Sequence, residues 1–157
     1  MRNPLRLVVL LSALLLLPSS LAADTGPVVA LRAFFTAVSG KDYAAAWAGF
    51  THKSQDRIAE VVAKSEKMSV TDVRKLFDTN DKRIRDGFWE SFRTSSNSDT
   101  FLQVAMSPGA GSGSSDGSVL ITAPNGNVIT MLMYRENGGW KVGWMETFFS
   151  NKDPAVQ

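Results

Sequence analysis

The chain has 157 residues, no cysteine, a single histidine and a formal net charge of +2. Without cysteine there is neither a disulfide nor a thiol nucleophile, so the domain must rest on its apolar core. The small charge belongs to the N-terminus. Arg2 and Arg6 precede an apolar run from Leu7 to Leu17, followed by Pro18 and small residues. This is the layout of a secretory signal peptide over 1–22, with cleavage expected after Ala22 or, as second choice, Ala23. The run falls short of the roughly 20 residues that span a bilayer, so no membrane attachment is expected after cleavage. Arg2 and Arg6 would leave with the segment, and the remaining basic and acidic residues balance at 15 each. A basic stripe for nucleic acid is therefore not expected. The charge-rich region 52–93 interleaves both signs and reads as solvated helix faces. What remains is about 135 residues, a comfortable size for one domain over 23–150. A tail over 151–157 is expected to be disordered. The destination implied is periplasmic or secreted.

The first half of this domain has helical spacing. Thr25 stands where a cap would, Pro27 suits a first turn, and Val28, Leu31, Phe35 and Val38 recur on one face. Gly40 is placed to close that helix in a left-handed cap. Asp42 caps a short second helix in which Tyr43, Trp47 and Phe50 share a face. Thr51 caps a third, with Ile58, Val61 and Val62 as its stripe. Ser69 and Asp72 resemble a capping box before Val70, Val73, Leu76 and Phe77. A last helix is expected from about Asp81 to Arg93, with Ile84, Phe88 and Phe92 as its stripe, flanked by Trp89. Gly87 weakens its middle.

The period then changes to two. "TFLQVAMS", "SVLITA", "NVITMLMYRE" and "WKVGWMETFF" read as four strands. A glycine-rich connection, Pro108 to Gly117, separates the first two. Asn125-Gly126 and Asn137-Gly138-Gly139 are hairpin turns, since Asn-Gly favours the primed types that need positive φ. In the last strand, alternation places Trp140, Val142, Trp144 and Glu146 on one face. Helices followed by an antiparallel meander predict an α+β domain, with N-terminal helices packed on one face of a sheet of about four strands.

Three features resemble the nuclear transport factor 2-like superfamily, whose cone-shaped, cystatin-like roll is shared by ketosteroid isomerases and polyketide cyclases (the SnoaL-like group). "VVALRAFFTAVSGKDYAAAW" is similar to the opening helix pair, "NGNVITMLMYRENGGWKV" is similar to the closing hairpin, and the order of elements agrees. The resemblance implies a curved sheet wrapped around a helix and a pocket at the wide end of the cone. It also implies a short strand between the second and third helices, which no segment here clearly supplies. Many relatives with this fold form homodimers across their sheets.

Against that frame the candidates are few. His52 stands alone, and no His/Asp/Glu cluster has metal-ligand spacing, so neither a metal nor another cofactor is expected. The loop Pro108–Gly117 lacks the Lys-Ser/Thr ending of a phosphate loop. Asp99 lies at an expected strand start. An isomerase of this fold would need an acidic base and a hydrogen-bond donor. Tyr43 as donor and Glu146 as base are the pair the sequence offers. Tyr43, Trp47, Phe50, Trp89, Phe92, Met131, Trp140 and Trp144 would either line an apolar pocket or fill the core between helices and sheet. Three functions follow: an exported, non-catalytic domain binding a small apolar ligand or a protein partner; an isomerase or cyclase using Tyr43 and Glu146; and a homodimeric assembly subunit.

Overall fold

A computed structural model describes residues 26–149 apart from 112 and 114. The expected signal segment, its cleavage point near Ala22 and the tail over 151–157 lie outside the described residues, as does Thr25. The architecture is α+β, with helices preceding a curved, four-stranded antiparallel sheet in the order β1-β2-β3-β4.

Helix α1 (Pro27–Ser39) carries Leu31, Phe34, Phe35 and Val38 on its buried face. It packs against the buried side of the sheet, where Val119, Ile121, Met131 and Met133 are fully covered. Its C-terminus differs from the expected glycine cap. Gly40 keeps a right-handed φ of −78°, and Lys41 takes the left-handed position at φ 62°. The helix runs one residue longer than the glycine suggests, because Asp42 N donates to Ala37 O and Lys41 N to Val38 O. Helix α2 (Tyr43–Gly49) starts as expected, with the Asp42 carboxylate accepting from Ala45 N. Its face of Tyr43, Trp47 and Phe50 is buried.

Phe50 then forms a one-residue parallel bridge with Val142, and Thr51 N donates to Val142 O at 3.1 Å. Helix α3 (His52–Glu66) follows, capped by Thr51, whose hydroxyl accepts from Ser54 N at 3.0 Å. Such a cap stabilises by about 1 kcal/mol. Ile58 is buried, Val62 half-buried and Val61 61% exposed, so the expected stripe is only partly covered. Helix α4 (Val70–Asp78) begins at Ser69, which accepts from Asp72 N and donates to the Asp72 carboxylate.

The helix expected from Asp81 is continuous but not uniform. It comprises α5 (Lys82–Ile84), a π-helical turn (Arg85–Trp89) and α6 (Glu90–Ser95). In the π turn, Glu90 N reaches back to Arg85 O, five residues away. One extra residue per turn rotates everything after it. Ile84 and Trp89, rather than Ile84 and Phe88, therefore face the core.

A short helix α7 (Ser98–Phe101) occupies the start of the expected first strand, so Asp99 is helical and β1 is only Ala105–Pro108. Strands β2 (Asp116–Thr122) and β3 (Val128–Glu136) pair along their length. The Asn125-Gly126 turn is not a primed pair. Only Gly126 has positive φ (84°), and Ala123 N bonds Asn127 O, as in a three-residue loop closed by a glycine bulge. The other turn is primed as expected: Asn137 and Gly138 have φ of 53° and 79°, and Glu136 pairs with Gly139.

The largest departure is the last segment. Strand β4 ends at Val142 (Gly139–Val142), and Trp144–Phe149 form helix α8. Gly143 N still donates to Leu132 O, but the next β3 donor, Leu132 N, is taken by the Thr147 hydroxyl at 2.9 Å. A side chain from the helix thus replaces the strand that would have continued. Six residues of mixed apolar and polar character fit either period. Trp144 and Phe148, four apart, bring their rings to 4.7 Å only in the helix.

Candidate functional site

The helices leave an apolar groove between them. Helix α3 contributes Ile58, Val61 and Val62 to it; the π turn and α6 contribute Phe88 and Phe92; α8 contributes Trp144, Met145 and Phe149. Its volume is about 380 Å³ and its one charged lining residue is Arg57. A second hollow, about 580 Å³, continues it past Val61, Val62 and Phe88 toward Met68, Leu76 and Ile84. Both volumes fall in the range of ligand sites.

Local structure explains why these side chains stand open. The π turn moves Trp89 inward and leaves Phe88 half-buried at the groove floor. Gly87, beside it, lines the second hollow, and a Cβ there would meet nothing within 4 Å. The turn into α8 lays Met145 and Phe149 along the α3 side, where Phe149 remains 48% exposed.

Of the eight residues expected to line a pocket, only Phe92 and Trp144 belong to this groove. Tyr43, Trp47, Phe50, Trp89, Met131 and Trp140 are buried core residues. Phe50 sits among Phe34 (4.8 Å between ring centroids), Phe92 (5.7 Å) and Trp89 (6.0 Å), so aromatic rings fill this part of the interior. Trp47 stacks on Phe77 at 4.1 Å and donates its indole N–H to Asp78. Trp140 lies under the Arg135 guanidinium at 5.4 Å.

The expected pairing of Tyr43 with Glu146 does not form. Tyr43 stacks on Trp89 at 5.1 Å and donates its hydroxyl to Glu90 Oε1 at 2.6 Å. Lys41 Nζ lies 2.9 Å from the same oxygen, and Arg93 reaches the other. Burial and the Glu90 hydrogen bond push the Tyr43 hydroxyl up to about 12. The Tyr43 and Lys41 hydrogen bonds hold the Glu90 carboxyl at about 2. A general acid or base works best with a pKa near the working pH. Both members of this pair lie far from neutrality and would be inert there.

Glu146 reached its position by a route alternation could not foresee. It is on α8, not on a strand face, and is only 7% exposed. Its oxygens accept the hydroxyls of Thr51 (2.7 Å) and Ser54 (2.6 Å), at the N-terminus of α3. Ser54 Oγ in turn accepts from Met145 N at 3.0 Å. The carboxylate is thus held by charge-assisted bonds and by the positive end of a 15-residue helix. With both oxygens engaged it ties α8 to α3. His52 Nδ1 and N–H both meet Glu136 Oε2, at 2.8 and 3.0 Å, in an exposed pair that anchors the hairpin. Among the described residues, no three His, Cys, Asp or Glu side chains converge to hold a metal ion.

The groove residues that sequence reasoning did not place in a pocket were Arg57, Ile58, Val61, Val62, Met145 and Phe149. The adjacent Val61-Val62 pair, wider than a single buried stripe, was the available signal. Gly87 marked the irregular turn. Phe149 was hidden by the strand reading.

No family model, no curated protein and no solved structure matches this chain.

Proposed function

We propose that this domain is a non-catalytic binding module that takes an apolar ligand into the groove between α3, α6 and α8. The observation that carries the reading is the groove itself: eight apolar side chains from α3, the π turn, α6 and α8 line a volume of about 380 Å³, with Val61 and Phe149 well exposed at its sides. Apolar area removed from water contributes about 25 cal/mol per Å², so a ligand laid there gains affinity without any specific polar contact. The second reading, an isomerase or cyclase, has less behind it. Glu146 has both oxygens occupied, and Tyr43 is bonded elsewhere. A homodimer across sheets also has little support, since the sheet's outer face carries exposed Ser107, Thr122 and Thr130 among its apolar residues.

We place the domain, again as a proposal, in the nuclear transport factor 2-like superfamily. The helices-then-sheet order and the Phe50–Val142 bridge, at the point where that fold has a short strand, support it. Export rests on the N-terminal sequence alone. Native mass spectrometry of protein from the envelope fraction tests it: a mass beginning after Ala22 or Ala23 is expected, and an unprocessed chain would refute it.

The groove is tested with N-phenylnaphthylamine, whose fluorescence rises in apolar sites. Saturable binding is expected, and Val61→Glu, at an exposed position that should tolerate the change, is expected to abolish it. If the probe does not bind, or binds the variant equally well, the groove is not a ligand site.

A further inference from the structure

Resting on the groove reading, we propose that its ligand is a single-chain anionic amphiphile, a fatty acid or a compound of that shape, with its head at Arg57 and its tail along α3 toward α4. The groove offers one charged group and otherwise only apolar side chains. All the elements around it are helical, with backbone groups engaged in their own ladders, so it presents no strand edge to a peptide. With one cation among apolar side chains, it is complementary to an apolar body with one negative end.

Arg57 is available for that end. Its partner is Glu60, three residues along the same helix at 2.9 Å, with the two side chains 40% and 49% solvent-exposed. An exposed pair of this kind contributes little, so exchange for a ligand carboxylate is easy. A guanidinium also matches a carboxylate through two parallel N–H bonds.

The polarity along the groove sets the direction. The hollow at the α4 end has Glu66 on its wall, and its own arginine, Arg83, bonds Asp81 at 3.0 Å. An anion there would meet Glu66 as well as the Asp81 partner of Arg83, whereas at Arg57 it competes with the Glu60 partner and meets no carboxylate among the groove's lining residues. Between the two ends, Val61, Val62 and Phe88 are common to both hollows and make the path continuous. From Arg57 to Glu66 the helix rises about 14 Å, enough to lay an extended alkyl tail against it. Gly87 leaves the far end unobstructed.

The test measures displacement of N-phenylnaphthylamine from the purified protein by dodecanoate, 1-dodecanol and octanoate. Dodecanoate is expected to bind roughly tenfold more tightly than 1-dodecanol, the scale of one hydrogen bond to a charged group, with the advantage shrinking as salt is added. Arg57→Gln should erase that advantage and leave 1-dodecanol unaffected. Glu60→Gln, which frees the guanidinium, should hold or raise dodecanoate affinity. Gly87→Leu should weaken dodecanoate severalfold and spare octanoate. If dodecanoate and 1-dodecanol bind equally, or Arg57→Gln weakens both alike, the anionic ligand is refuted while the apolar groove stands. If Gly87→Leu has no effect on dodecanoate, the direction of the tail is refuted. If the probe itself fails to bind, both the groove and this inference fall together.

Discussion

Two acidic residues define the chemistry at the residue scale, and they do opposite work. Glu146 is buried and bound by two hydroxyls, so Glu146→Ala should destabilise the fold by about 2–4 kcal/mol, leaving Thr51 and Ser54 without their acceptor. Urea denaturation measures this; a change below about 0.5 kcal/mol, the scale of an ordinary surface substitution, would mean the contact is not structural. Glu90 lies nearer the surface and governs pH dependence together with Tyr43. Its pKa falls from 4.5 to about 2 on folding, so its stabilisation is present above 4.5 and lost as pH drops through about 2. The Tyr43 value rises from 10.0 to about 12, so its share is present below 10 and lost as pH climbs through about 12. Denaturation midpoints across pH should show both limbs. Glu90→Gln should flatten the acid one and Tyr43→Phe the alkaline one; unaltered limbs in these variants would remove the pair from the account.

At the scale of elements, the π turn and the β4–α8 corner decide what the molecule exposes. Gly87 sits in a helical segment with open space where a Cβ would go. Gly87→Ala should therefore stabilise by about 0.5–1 kcal/mol through lost unfolded-state freedom, read as a higher urea midpoint. A lower midpoint would mean that the turn needs glycine's backbone. Gly143 is the reverse case. A Cβ there would lie 2.6 Å from the Tyr134 ring and 3.1 Å from Leu132 O. Gly143→Ala should cost about 1–3 kcal/mol through overpacking and loosen α8 from the sheet. Hydrogen exchange localised to 143–149 would report it, and uniform exchange would contradict it.

Over the whole molecule, one continuous core joins helices and sheet, and the groove is the place where helices meet without covering one another. Burial is thus divided: the core between α1 and the sheet is covered, while α3, α6 and α8 share an open seam. A ligand filling that seam would bind the folded state alone. At a hundredfold excess over its dissociation constant it should add about 2.7 kcal/mol of stability. A thermal shift with dodecanoate that is absent in Val61→Glu is the expected result; equal shifts in both proteins would place the ligand elsewhere.

Sequence alone determined the class of fold, because that rests on local periodicity. The buried faces of α1 and α2, the caps at Asp42, Thr51 and Ser69, and the primed Asn137-Gly138 turn all follow from residues a few positions apart. Tertiary structure decided the rest. Whether 144–149 continued as strand or turned into helix depended on Thr147 meeting Leu132 N, a contact between segments 15 residues apart. Whether Phe88 or Trp89 entered the core depended on one inserted π residue, favoured where Trp89 could pack against Tyr43 and Phe50. The groove exists because α3, α6 and α8 were left imperfectly closed upon one another; α3 was legible by itself, whereas α8 was read as strand. No periodicity within a single segment encodes how well separate segments close.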